Sequence, residues 1–246
     1  MSSWSHTITT LCSLSFETTN NYEDNLQTLL KLIQESPDES FLVAPEVCLT
    51  GFDYENIHES AQFSKNATEK LLIATKSKTV VMTMLEERED GIVNMAKIFH
   101  KGALVYARPK AKLFHLGEEH KHMQEGDESD IFVLELDGVK VALLVCFELR
   151  FKELWKKVEG ADVIAVPAWW GALRREHFRT LTEALAIMNQ CYVVASDSAN
   201  EECSGLSGIV TPQGKVQRNG NTPCLEEVYE KREITLMRRY LDVGIK

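Results

Sequence analysis

The chain has 246 residues, 44% of them hydrophobic and 26% charged, and a formal net charge of −10. That length suits one α/β domain, residues 1–246, and the acidic balance excludes nucleic acid or an anionic membrane surface as a charge-driven partner. No stretch approaches the ~18 apolar residues of a membrane span, and Met1-Ser2-Ser3-Trp4-Ser5-His6 shows no basic segment ahead of an apolar one.

Residues 7–14 are a first predicted strand. Asn20 or Asn21 caps a helix in which Leu26, Leu29, Leu30 and Ile33 recur at i, i+3, i+4 and i+7, with Pro37 just past its end. A second strand starts at 41–44, is stopped by Pro45, and is followed at once by Glu46. A helix is expected within 59–76, then strands at 79–85 and 93–99 around a turn at Glu89-Asp90-Gly91. A strand at 102–106 leads into Arg108-Pro109-Lys110. Residues 115–130 are polar and read as a long surface loop, a kind of segment that often carries function. Residues 131–136 and 141–145 pair around Asp137-Gly138; the second run, Val-Ala-Leu-Leu-Val, reads as a strand buried on both faces and ends at Cys146. A helix within 151–158, a strand at 162–166, the pair Trp169-Trp170 and a helix over 176–189 follow. Strands at 192–195 and 207–211 complete the pattern, and residues 221–246 read as a less regular C-terminal arm.

The six cysteines (Cys12, Cys48, Cys146, Cys191, Cys203, Cys224) are scattered without a C-x-x-C pair, which suits free thiols in a reducing cytoplasm. Glu46, Lys110 and Cys146 share one structural position, the end of a strand, and strand ends on one edge of a sheet converge. A carboxylate, an ammonium and a thiol form a workable acyl-transfer set: base, oxyanion stabiliser and nucleophile. Each also has an ordinary reading, since a cysteine at the end of a buried strand is more often an inert small hydrophobe. Glu46 can cap a helix, and a lysine such as Lys110 is usually solvated. His115, His120 and His122 lack an acidic or thiol ligand at a defining spacing, so no metal is expected.

Ala44-Pro45-Glu46-Val47-Cys48-Leu49-Thr50-Gly51-Phe52 resembles the glutamate motif of the nitrilase superfamily, the carbon–nitrogen hydrolases. Lys110-Ala111-Lys112-Leu113-Phe114 is similar to its lysine motif, and Cys146-Phe147-Glu148-Leu149-Arg150-Phe151 to the cysteine motif of its amidase branches. Gly160-Ala161-Asp162, Pro167-Ala168-Trp169 and Gly205-Leu206-Ser207-Gly208 continue the resemblance in order, from the first strand to about Val216. The resemblance implies a single-domain α/β fold, the four-layer α-β-β-α sandwich, often paired as a homodimer or higher homo-oligomer. It also implies a Glu46–Lys110–Cys146 triad, an oxyanion site at the backbone N–H of Phe147, and a second glutamate. Glu119 aligns best with that glutamate, with Glu118 the neighbouring alternative. Lys112 stands where the family usually has histidine, which assigns the lysine role to Lys110. The implied chemistry is hydrolysis of a small linear amide through a cysteinyl thioester, with no cofactor. A nitrilase, an N-carbamoyl hydrolase and a non-catalytic binding member are the alternatives.

Trp169 and Trp170 can wall a pocket or pack as ordinary core aromatics, and Arg174 can meet a substrate carboxylate or form an ion pair. Phe178 stands where the family has tryptophan. Leu185 and Met188 replace a family arginine and glutamate, and their i, i+3 spacing predicts a packed apolar pair in place of a charge pair.

Overall fold

The computed structural model describes residues 8–218 and 222–245. Its first strand, β1 (Thr10–Leu14), is buried along almost its whole length; the expected start at Thr7 and the Met1–His6 segment lie outside the described residues. Helix α1 (Tyr22–Glu35) begins where Asn21 accepts the N–H of Asp24 at 3.2 Å, and Glu23 and Asp24 sit favourably at its positive end. It stops at Ser36, ahead of Pro37. The order then runs β2 (Ser40–Val43), α2 (Ile57–Ala74), β3 (Thr79–Arg88), β4 (Gly91–His100) and β5 (Ala103–Pro109). A short helix α3 (Glu119–His122), the strands β6 (Leu134–Leu136) and β7 (Val139–Leu143), and α4 (Lys152–Lys157) come next. Strand β8 (Val163–Ala168), α5 (Arg175–Asn189), β9 (Tyr192–Asp197), β10 (Gly208–Val210), β11 (Val216–Arg218), β12 (Cys224–Val228) and α6 (Lys231–Tyr240) complete the chain.

The strands form two six-stranded mixed sheets, ordered β12-β1-β2-β3-β4-β5 and β11-β10-β9-β8-β7-β6. Their inner faces pack on each other: Val43, Val81 and Ile98 of the first share a core with Val141, Leu143 and Ala165 of the second. Leu26, Leu29 and Leu71 of α1 and α2 cover the outer face of the first sheet against Leu42 and Val80. Phe178 and Leu185 of α5, with Ile234 of α6, cover the second. The result is a four-layer α-β-β-α sandwich. Both central strands that feed the site, β2 and β7, are nearly or wholly buried, as expected for parallel strands with helices outside. Between the sheets, Ser13 donates its hydroxyl to Ala195 O at 2.7 Å, and Ser196 donates to Leu14 O, so β1 and β9 are joined by polar as well as apolar contacts.

Three expectations need correction. Residues 115–130 are not a plain loop, since they contain α3 and two single helical turns, His115–Gly117 and Glu128–Asp130. Leu185 is fully buried but Met188 is 65% exposed, so the two do not pack as a pair. At 100° per residue, Met188 lies past the rim of the buried stripe made by Phe178, Thr182, Leu185, Ala186 and Asn189. Within 221–246, the described residues hold an edge strand and a helix where a less regular arm was expected: β12 pairs antiparallel with β1, and α6 buries Ile234.

Candidate active site

Glu46 leaves β2 through Ala44, whose N–H still donates to Val81 O at 2.9 Å, and Pro45 ends the pairing. Its own N–H crosses to the second sheet, donating to Ala168 O at 3.2 Å. The next residue, Val47, is held at φ +43°, a conformation a β-branched side chain rarely adopts. Its N–H is fixed by Thr83 Oγ1 at 2.8 Å, and its carbonyl accepts the N–H groups of Thr50 and Gly51. Cys146 shows the same feature. It lies just past β7, opens the helical turn Cys146–Arg150, and has φ +42°. Strain of this kind at two strand ends costs on the order of 1–3 kcal/mol each and concentrates where side chains must be aimed.

Lys110 follows β5, and its backbone N–H donates to Asn94 O at 2.8 Å. Gly126 donates to Lys110 O, and a Cβ there would come within 2.5 Å of Pro109 O, so only glycine lets this segment lie so close. Glu46 and Lys110 are fully buried, and Cys146 nearly so. Lys110 Nζ donates to Glu46 Oε1 at 2.7 Å and to both oxygens of Glu119, at 2.8 and 2.9 Å. Glu119, at the start of α3, also accepts the N–H of Phe114 at 3.0 Å. His122 stacks on Tyr54, whose hydroxyl donates to Gly117 O at 2.9 Å, and this fastens α3 over the site. Glu118 instead faces solvent and pairs with Lys121. Lys112 lies outside the cluster, paired with Glu128 and seated over the Phe151 ring.

Cys146 Sγ donates a hydrogen bond to Trp169 O at 3.6 Å, and the charge of Glu46 acts on the thiol. Glu46 Oε2 receives the N–H of Trp169 at 3.2 Å. Burial raises the pKa of Glu46 above the ordinary carboxylate range, opposed by the Lys110 ammonium. Burial, and then the charge of Glu46, push the Cys146 thiol well up. Lys110 is raised too, because the two carboxylates outweigh its own desolvation. The resting cluster therefore holds a neutral thiol beside a carboxylate of raised basicity and a firmly protonated amine. A thiol proton can pass to such a carboxylate with little change in total charge.

Trp169, Trp170, Arg174 and Phe147 join Cys146, Phe114, Arg150 and Gly171 in lining one small pocket. Trp170 is nearly buried and donates its indole N–H to Arg174 O at 2.8 Å. Arg174 rests over Phe114 and Arg150 over Trp170. Neither guanidinium makes an ion pair among the described residues, and Arg150 is pulled below its ordinary value by partial burial and then by the charge of Arg174. A wider polar groove, lined by Thr18, Asp53, Glu55, Glu59 and Glu202 among others, lies on the other side of Trp169 and does not reach the thiol.

Several residues around the cluster escaped the sequence reading. Glu148 accepts from Arg108 Nη1 and Nη2 at 2.7 and 2.6 Å and from the N–H groups of Ala111 and Val145 at 2.7 Å. It thereby ties the lysine segment to the cysteine turn. Asn94 donates to Glu46 Oε1 at 2.8 Å. Asp197 accepts the N–H groups of Trp170, Ser198 and Ser204 and so fixes the tryptophan turn. The available signal was polarity in the wrong place: Asn94 interrupts an apolar strand, and Arg108 sits directly before Pro109.

The histidines do not converge. His115 and His120 stack at 4.2 Å, and His122 lies against Tyr54. Among the described residues one group is spaced for a metal ion, Cys12, Cys224 and Glu226 in the β1–β12 pair, away from Cys146.

A model of the carbon–nitrogen hydrolase family matches residues 9–224. A 2-oxoglutaramate amidase of Bacillus subtilis is 33% identical over 214 residues, covering 82% of this chain and 81% of that protein. An omega-amidase of Escherichia coli, YafV, is 25% identical over 222 residues, covering 88% and 86%. Among solved structures, a CN-hydrolase superfamily protein from Xanthomonas campestris superposes with a TM-score of 0.81 at 20% identity, covering 95% of each chain. Saccharomyces cerevisiae Nit3, of the nitrilase superfamily, gives 0.80 at 20% identity, covering 96% of this chain and 95% of that one.

Proposed function

This chain belongs to the carbon–nitrogen hydrolase family, and on that premise we propose that it hydrolyses a small linear amide through a thioester on Cys146. One observation carries the reading: a buried lysine bridges two carboxylates, one of which meets the main chain of Trp169 together with the thiol. Glu46 takes the Cys146 proton as the sulfur attacks the amide carbon. The oxyanion of the tetrahedral intermediate is held by Lys110 Nζ and the N–H of Phe147, which sits in the first turn of a helical segment, where backbone donors lack internal partners. Glu46 returns the proton to the amide nitrogen, the C–N bond breaks, and ammonia or an amine leaves a thioester. Glu46 then takes a proton from water as its oxygen attacks the thioester; the sulfur departs, regains the proton, and the carboxylic acid is released. Glu119 keeps Lys110 charged and in place. Every step uses groups of this chain and water, and the reading invokes no cofactor or metal.

The two guanidiniums at the pocket favour a substrate with a carboxylate at the end away from the amide, held by Arg174 with Arg150 beside it. The curated relatives act on 2-oxoglutaramate and omega-amides by name, which supports the same class. Trp169 and Trp170 wall the acyl chain between the thiol and the arginines. The exposed Leu173, Ile187 and Met188 around α5 support a homodimer or higher homo-oligomer, and six thiols without a disulfide support a cytoplasmic setting. The test is ammonia release and intact-protein mass spectrometry with succinamate, glutaramate, neutral amides, nitriles and N-carbamoyl amino acids, for wild type and Cys146→Ala. Ammonia and an acyl adduct from wild type alone, best with the ω-amido acids, are expected. Equal ammonia from Cys146→Ala would overturn the reading.

A further inference from the structure

Asn94 lies in the middle of β4 with none of its surface exposed, and its strand neighbours Ile92, Val93, Met95 and Ala96 are all apolar. Neither strand propensity nor packing favours an amide there. Its Nδ2 donates to Glu46 Oε1 at 2.8 Å, while its Oδ1 is buried with no partner among the described residues. Turned over, the amide would set its oxygen against the Glu46 carboxylate, so the donated bond fixes its orientation. An unpaired buried oxygen works against stability. What the side chain contributes is therefore concentrated at Glu46.

We propose that Asn94 is a positioning residue that pins Glu46 Oε1, so that Oε2 keeps its place at the N–H of Trp169, the residue whose carbonyl holds Cys146; this rests on the reading of Glu46 as the base. Lys110 alone is a poor anchor for Oε1, because its ammonium is shared with both oxygens of Glu119, and the Trp169 N–H holds only Oε2. With Asn94, Oε1 receives one donor from β4 and one from the residue after β5, and rotation about the end of the glutamate side chain is blocked. The amide does this without adding a charge to a cluster that already holds two carboxylates and an ammonium. The same residue also sets the lysine, since its backbone carbonyl accepts the N–H of Lys110 at 2.8 Å. One position on β4 thus orients the base through its side chain and locates the lysine through its main chain.

Asn94→Leu removes the amide at similar volume and keeps the main-chain bond. Asn94→Asp keeps the size and sets an acid against Glu46. Both are expected to lower kcat for succinamate on the order of 10- to 100-fold, as a misaligned reacting group does, with KM little changed. Both are also expected to move the acid limb of the kcat–pH profile to higher pH, because a donor that favours the ionised carboxylate is gone. The pH dependence of Cys146 alkylation by iodoacetamide, read by mass spectrometry of the Cys146 peptide, should move the same way. A merely structural role would lower the yield of folded enzyme and leave the limb in place. An unmoved limb in either folded variant, or failure of both to fold, overturns the proposal. Glu46→Gln separates the two readings: if it keeps wild-type turnover, Glu46 is not the base. If it abolishes turnover while the Asn94 variants keep the wild-type limb, only the role of Asn94 fails.

Discussion

The proposed base, amine and nucleophile all titrate above their ordinary ranges, Glu46 and Cys146 through burial and Lys110 against its burial through its two carboxylates, and this sets the pH behaviour. Glu46 must be ionised to take the thiol proton, and its pKa is raised by desolvation. Rising pH therefore switches activity on, with a midpoint above the ordinary carboxylate value of about 4.3. The Cys146 thiol and the Lys110 ammonium are both held protonated beyond their usual ranges. Neither should titrate below about pH 9, so kcat/KM is expected to rise through one acid limb and then stay level. A second, alkaline limb near neutrality in a pH–rate profile would contradict this arrangement. Arg174 makes a different prediction: Arg174→Ala should raise KM for succinamate and leave KM for a neutral amide of equal length nearly unchanged. Equal effects on both would place the arginine outside substrate contact. Much of this cluster was readable in the sequence because Glu46, Lys110 and Cys146 each follow the end of a strand and fall in motifs that resemble the family's. Glu119 was readable only through the family pattern, since nothing in its polar neighbourhood marks it as buried.

Elements, rather than residues, set the distances. Glu148 joins the end of β5 to the turn after β7 through four hydrogen bonds, two of them from a guanidinium with no exposure. Glu148→Ala leaves Arg108 as an unpaired buried charge and should cost roughly 3–5 kcal/mol, seen as a lower urea midpoint at unchanged m-value. A loss within the range of a surface change would mean that Arg108 finds another partner. Asp197 ties the tryptophan turn to Ser204 and is pushed up to about 7 by burial. Since its folded-state pKa exceeds the unfolded value of about 3.9, the native state binds the extra proton in between. Its contribution to stability is therefore present below about pH 4 and lost as pH rises toward about 7. Asp197→Asn should flatten that part of the stability–pH curve. These ties were not legible in the sequence, because Arg108 and Glu148, or Asn94 and Glu46, stand 40 or more positions apart and only the folded layers bring them together. The Leu185–Met188 expectation failed for a related reason: shared spacing on a helix does not say where the buried stripe ends.

Glu46 and Lys110 belong to one sheet and Cys146 to the other, so the whole molecule acts as the ruler for the site. Ile98→Ala, which opens a cavity between the sheets, should cost roughly 2–5 kcal/mol and also lower turnover per folded molecule. Leu29→Ala, under the outer helix, should cost a similar amount and leave turnover per folded molecule unchanged. Equal turnover in the two folded variants would show that the sheets do not shift. An α/β domain followed from the alternating helical and apolar-strand patterns and its four layers from the family resemblance, but the place of the last strand followed from neither. Strand β12, from the far end of the chain, closes the edge of the first sheet against β1. During synthesis, β1 must therefore wait, its outer N–H and C=O groups unpaired, until more than two hundred residues later its partner leaves the ribosome. The first sheet is thus among the first parts made and among the last completed, and a nascent chain interrupted before β12 would present an open edge to its neighbours on the same message.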